Sequence, residues 1–213
     1  MMTIGSLSLF SIHFAFGALN TESTNSKNSL SVGTLTLSDK VGATTCLSFG
    51  GAASPANHNG TCSAMFSNTT LLYPGSLATA NVTAANTGSL DATLSLFMGS
   101  CTVATSPNAP AAAVGGGNPC TASDVSFYVE ESNSAFTTHS CVWPIPSTSG
   151  CSYTASTMLY MSQAAKAESS AISLGALGHG ATRYFIIGVS LPTTASNTLQ
   201  GEEADFSLTW RLS

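Results

Sequence analysis

The sequence predicts an all-β domain: an antiparallel β-sandwich or jelly roll with long disulfide-stapled loops and an extended N-terminal strand. Three observations lead there. Short runs of alternating apolar and polar residues recur along the chain. Gly, Pro and Asn turns punctuate them. Six cysteines bracket the longest stretches rich in Gly, Pro, Asn and Ser. With 213 residues the chain is long enough for one well-cored domain.

The first element is the alternating segment Ser6–Phe16. Leu7 and Leu9, then Phe10, Ile12, Phe14 and Phe16, are separated by Ser8, Ser11, His13 and Ala15. Period-two alternation puts large side chains on one face of an extended strand. A secretory signal peptide also begins with an apolar stretch, but it has a basic flank and a continuous apolar run. Neither is present here, although Ala15-Phe16-Gly17-Ala18 offers small residues where cleavage could fall. Two readings therefore stand for residues 1–20: a strand kept by the mature protein, or a signal-peptide remnant.

Residues 21–28 (TESTNSKN) are polar and linker-like, and the domain is expected to span 29–213. Ser29–Asp39 reads as a strand, with Gly33, Leu35 and Leu37 on one face. Pro74-Gly75 signals a type II turn, because Pro sets φ at its second position and Gly accepts positive φ at its third. Leu77–Ala85 and Leu90–Leu96 form a hairpin about Asn86-Thr87-Gly88. The stretch between Cys101 and Cys120 reads as an exposed loop, Val125–Val129 as a strand, and Phe136–Tyr153 as irregular. Met158–Ser169 is the one segment with helix-forming composition. Ile172–Leu177 leads to a Gly178-His179-Gly180 turn, Arg183–Leu191 is apolar on both faces and should be central, and Ala204–Leu212 alternates cleanly, with Trp210 as a core anchor.

Composition narrows the functional classes. Charged residues make up only 7% of the chain, against roughly 25% in an average soluble protein. The net charge is −5 with five basic residues, so no basic patch exists for nucleic acid or an anionic membrane surface. No stretch reaches the ~18–20 apolar residues of a membrane span. The cysteines, Cys46, Cys62, Cys101, Cys120, Cys141 and Cys151, never occur as C-x-x-C, which argues against zinc or thioredoxin chemistry. The expected pairing is consecutive, Cys46–Cys62, Cys101–Cys120 and Cys141–Cys151, and implies an oxidising compartment and export. Six buried thiols are the alternative. Sequons at Asn59, Asn68 and Asn81 are candidate N-glycosylation sites.

Read in order, NSLSVGTLTLSD, YPGSLATANVTAANTGSLDATLSL and LGALGHGATRYFIIGVSLPTTASNTLQGEEADFSLTWRL resemble the TasA/camelysin family of secreted matrix-fibre proteins and its actinobacterial and archaeal pilin relatives. The matching positions are Asn28 and Gly33, Pro74 and Gly75, Asn86, Gly88 and Ser89, then Gln200, Gly201, Phe206 and Trp210. The cysteine-rich loops depart from the cysteine-poor founding members. The resemblance implies a jelly roll, export, and a homopolymer in which the N-terminal strand of one subunit completes the sheet of the next. Donor-strand contacts would fall to Leu7, Leu9, Phe10, Ile12, Phe14 and Phe16, and filaments could bundle with one another.

Two other classes compete. A camelysin-like metallopeptidase would need paired histidines and a general base, as in H-E-x-x-H, whereas His13, His58, His139 and His179 are scattered. Glu130-Glu131 and Glu202-Glu203 are neighbours on strands, face opposite ways and read as solvated. No metal, catalytic or cofactor site is expected. An adhesive or sugar-binding module would rest on one loop aromatic, Trp143, which reads more readily as packing for the Cys141–Cys151 loop.

Overall fold

The computed structural model describes residues 33–48, 64–66, 72–109, 115–122, 124–151, 159–160 and 171–213. All of these belong to one compact unit, Gly33–Ser213. Ten strands appear among them: β1 (Leu37–Val41), β2 (Thr44–Leu47), β3 (Leu77–Asn86), β4 (Ala92–Thr105), β5 (Ser126–Ser132), β6 (His139–Trp143), β7 (Leu159–Tyr160), β8 (Ile172–Leu177), β9 (Thr182–Ser190) and β10 (Glu202–Leu212).

The strands form two antiparallel sheets. Sheet A runs β2-β1-β3-β9-β5-β6, with β7 also pairing β5. Sheet B runs β10-β4-β8. The expected antiparallel sandwich is therefore present, divided unevenly among the described residues. The strand at Arg183–Leu191 is central as expected, because β9 lies between β3 and β5.

The core follows from alternation. Val82 and Ala84 of β3, Phe185, Ile187 and Val189 of β9, and Phe127 and Val129 of β5 point from sheet A toward Leu94, Leu96 and Met98 of β4 and Ile172, Leu174 and Leu177 of β8. Each fully buried large side chain contributes about 1.5–3 kcal/mol relative to exposure. The hairpin expected of Leu77–Ala85 and Leu90–Leu96 does not form: β3 pairs with β1 and β9 in sheet A and β4 with β10 and β8 in sheet B, so the Asn86-Thr87-Gly88 turn carries the chain from one sheet to the other, and Leu90 is exposed in this connection.

Asn86 ties one end of the sandwich together. Its buried amide donates to the carbonyls of Leu90 and Leu177, and its Oδ1 accepts from Gly88 N. Its backbone pairs with the β8–β9 turn, through Ala181 O and Gly180 N. The neighbouring Thr87 and Ser89 amides donate to Thr36 and Thr34, so the incoming chain at residues 33–36 is laced to the same turn. The Asn-Thr-Gly-Ser turn thus holds three chain segments.

Other elements depart from expectation. The strand expected from Ser29 is classed as β1 only from Leu37, with Ser29–Val32 outside the described residues. β4 runs to Thr105, so Cys101 sits within a strand. Phe136–Tyr153 contains β6, whose pattern was hidden by Pro144, Pro146 and the cysteines around it. Leu159–Tyr160 pairs with β5 rather than starting a helix, and the rest of that segment lies outside the described residues. The Pro74-Gly75 turn is as expected: Gly75 has φ +86° and Ser76 N donates to Tyr73 O at 2.8 Å.

Asn86→Ala is expected to lower domain stability by about 2–3 kcal/mol, because three backbone groups lose their partner, the bonds to Leu177 O and Gly88 N being buried. Thr87→Ala, at an exposed position, should cost less than about 1 kcal/mol. Urea unfolding checks both, and equal losses would contradict the assigned role of Asn86.

Candidate functional site

A sheet of finite width ends in strands whose outward N–H and C=O groups lack partners, and these edges are where other chains can add. Among the described residues, three of the four sheet edges are short or covered. β2 has four residues. β6 is capped by its own following loop: Cys141 N donates to Ser149 O, Ser147 N donates to Cys141 O, and the Cys141–Cys151 disulfide fixes the loop there. β8 has six residues and a bulge between Leu94 and Ser95 of its partner, at Leu174-Gly175, where Gly175 has φ +90°.

The carbonyl freed by that bulge is taken up. Arg183 Nη1 donates to Leu174 O, while Nε and Nη2 fork onto Glu131 at 2.7 Å each. Arg183 also lies 5.1 Å from the Phe185 ring centroid. One side chain of sheet A therefore reaches sheet B and fixes β8 in place.

β10 differs. It has eleven residues and pairs with β4 from Glu202 to Leu212. The register shift near Ser207 places the extra residue on β4, leaving β10 regular. Among the described residues its other side is an open edge. Its inward row, Ala204, Phe206, Leu208, Trp210 and Leu212, packs on the core yet is only partly buried. By contrast, five of the nine residues of β9 are buried. Trp210 packs on Phe185 at 5.3 Å between centroids, and Phe66 seats against Phe206 at 6.4 Å. Trp210 Nε1 is buried with no hydrogen-bond partner among the described residues, although buried indoles usually find one.

β10 also touches β1, which places Asp39 on the same side of the sandwich. On β1, Leu37, Asp39 and Val41 share the inward row. Leu37 belongs to the core and Val41 packs against it. Asp39 is only 8% exposed, and its Oδ1 has no partner among the described residues. Burial pushes its carboxyl above the ordinary carboxylate range. Asp39 continues the Gly33, Leu35, Leu37 row of the sequence, so its inward position could have been read from alternation.

The remaining candidates distribute as follows. Cys101–Cys120 and Cys141–Cys151 are bonded as expected. Cys46 is also disulfide-bonded, but Cys62 lies outside the described residues, and so do Asn59, Asn68 and the donor-strand candidates Leu7, Leu9, Phe10, Ile12, Phe14 and Phe16. Asn81 is exposed on the outward row of β3. Trp143 is buried and packs on Phe127 at 5.7 Å. Glu130 corrects the expectation of a solvated position. It is 1% exposed, covered by the loop after β6, where Oε1 accepts from Cys151 N at 2.5 Å and Oε2 lies 3.4 Å from His139 Nδ1. Glu131 is ion-paired with Arg183, also unlike a free solvated side chain. Among the described residues, no three His, Cys, Asp or Glu side chains converge in a metal-binding group, and no helix is long and apolar enough to cross a membrane.

No protein-family model matches the chain, and no curated protein matches it.

Replacing Cys141 and Cys151 together by serine is expected to cost about 2–4 kcal/mol and to free the loop that caps β6. The amides of Cys141 and Ser147 should then lose hydrogen-exchange protection, while those of β9 keep it. Unchanged protection at Cys141 would contradict the capping role of this loop.

Proposed function

We propose that the chain is a secreted structural subunit that polymerises head to tail into an extracellular filament, pilus or biofilm matrix fibre. The N-terminal segment Ser6–Phe16 of one copy adds as a strand beside β10 of the next. The observation that carries this reading is the long, regular edge of β10, open among the described residues and backed by a half-buried apolar row, where the other described edges are short or covered.

The fit of donor to acceptor supports it. Ser6–Phe16 and β10 each have eleven residues, about 36 Å of extended chain. The donor segment carries no Lys, Arg, Asp or Glu, which suits a site flanked by apolar side chains. Main-chain hydrogen bonds would cap the edge while Phe10, Ile12, Phe14 and Phe16 fill the gap against the core. Burying these four is worth roughly 6–12 kcal/mol before ordering costs. In the sequence, residues 17–32 separate Ser6–Phe16 from the segment at residues 33–36 that is laced to the β3–β4 turn. Because donor and acceptor are different surfaces, the contact propagates rather than closing a two-fold dimer.

Disulfides in both stapled loops support an oxidising, extracellular setting. The TasA/camelysin resemblance points the same way. Burial of Trp143 removes the aromatic on which a sugar-binding reading would rest.

Deleting Met1–Ala18 is expected to leave a folded domain that forms no filaments by electron microscopy. Normal filaments from the truncated chain would sink the donor-strand reading. N-terminal sequencing of native filaments should recover residues ahead of Ser6 or close to it.

A further inference from the structure

Asp39 stands where an apolar side chain would be expected. A strand added outside β10 would lie across from β1 and β2, because β10 and β1 flank the same side of the sandwich. Asp39 is on the inward row of β1, is more than nine-tenths buried, and its Oδ1 has no hydrogen-bond partner among the described residues. An incoming row of phenylalanines would remove the remaining water from this carboxylate without offering it a donor. A buried charge without a partner is strongly unfavourable, whereas a neutral carboxyl is tolerated.

Resting on the donor-strand reading above, we propose that Asp39 makes docking of the N-terminal strand proton-coupled: the acceptor site takes the apolar strand when Asp39 is protonated and resists it when Asp39 is charged. The filament would then form most readily in acid and loosen as pH rises. The buried carboxyl is already held above the ordinary range in the free domain, and docking would deepen its burial and raise it further. Binding therefore takes up a proton between the free and bound titration points, which fixes the sign of the pH dependence.

No described charge faces Asp39 to reverse this. Cys46 of β2 and Ala84 of β3 are its cross-strand partners. Lys40 is on the opposite row of β1 and exposed. On β10, Glu203, Asp205 and Arg211 alternate away from the inward row, and Glu202 at the far end accepts from Gly116 N at 2.7 Å. In the incoming segment, His13 falls off the Phe10–Phe16 row, and its protonation would add a charge in acid, which opposes docking rather than promoting it.

The test is the critical concentration for filament formation of the full chain, measured by sedimentation across pH 4 to 8 with electron microscopy of the pellets. For the native sequence it should rise with pH, by up to roughly tenfold per pH unit within the titration window of one coupled proton. Asp39→Asn, a neutral isostere, should assemble at neutral pH at a lower critical concentration than the native chain and show a flat profile. His13→Asn should retain the native slope. A flat native profile, an Asp39→Asn slope equal to the native one, or loss of the slope in His13→Asn would each overturn the proposal while leaving the donor-strand reading intact. Native-like filaments from the chain lacking Met1–Ala18 would instead remove that reading itself. Should Asp39→Asn fold poorly, Asp39→Ser gives the same comparison, and the native slope alone still decides.

Discussion

Each sheet edge must either find partners for its outward backbone groups or leave them to water or another chain, and this requirement organises the domain. β6 is closed by its own loop through Cys141, Ser147 and Ser149. β8 is kept short and bulged, with its freed carbonyl given to Arg183. β2 ends after four residues. Only β10 combines length, regularity and an incompletely covered apolar row among the described residues. These devices resemble those by which sheet proteins avoid unwanted pairing. Among the described residues β10 lacks them, which is why the proposed function places the partner strand there.

The interior makes such an edge sustainable. Phe127, Phe185, Leu94 and Leu96 are fully buried around the middle of the sandwich, and the β10 row packs on them from one side, with Trp210 against Phe185. Asn86 holds the turn end, and the Arg183–Glu131 fork joins the two sheets beside β8. On the proposed polymerisation, a subunit has to stay folded while waiting for its neighbour, and this division suits it: the fully buried side chains lie on β3, β4, β5, β8 and β9 and the partly covered row on β10. Asp39 fits the same logic. On the proposed docking, an inward-pointing carboxyl at the open side would discourage premature filling of the site by any apolar strand.

Much of this architecture could be read from alternation and turn chemistry. The strands β3 and β4, the Pro74-Gly75 turn, the central position of Arg183–Leu191 and the terminal strand through Trp210 all follow from period-two patterning and from residues with special backbone preferences, whereas the assignment of β3 and β4 to different sheets, rather than to one hairpin, is set by their pairing with distant strands. β6 could not be read, because two prolines and two cysteines masked a five-residue strand whose register is set by pairing with β5. Glu130 was misjudged for a related reason. Alternation places it on the outward row, and only the folded loop after β6 reveals that this part of the outward face is covered. Asp39 was legible in principle, since it extends the apolar row through Leu37, but a charge at an inward position carries no signal until the neighbouring strands are known. Which edge stays open is a property of the assembled sheets and of no single segment.

An electron cryo-microscopy reconstruction of native filaments tests most directly the proposed contact between Ser6–Phe16 of one subunit and β10 of the next. It should show an extended strand hydrogen-bonded along Glu202–Leu212, contributed by the adjacent subunit, with Phe10, Ile12, Phe14 and Phe16 turned toward Trp210 and the core. A reconstruction in which β10 remains unpaired, or in which subunits join through β2, β6 or β8, would contradict it.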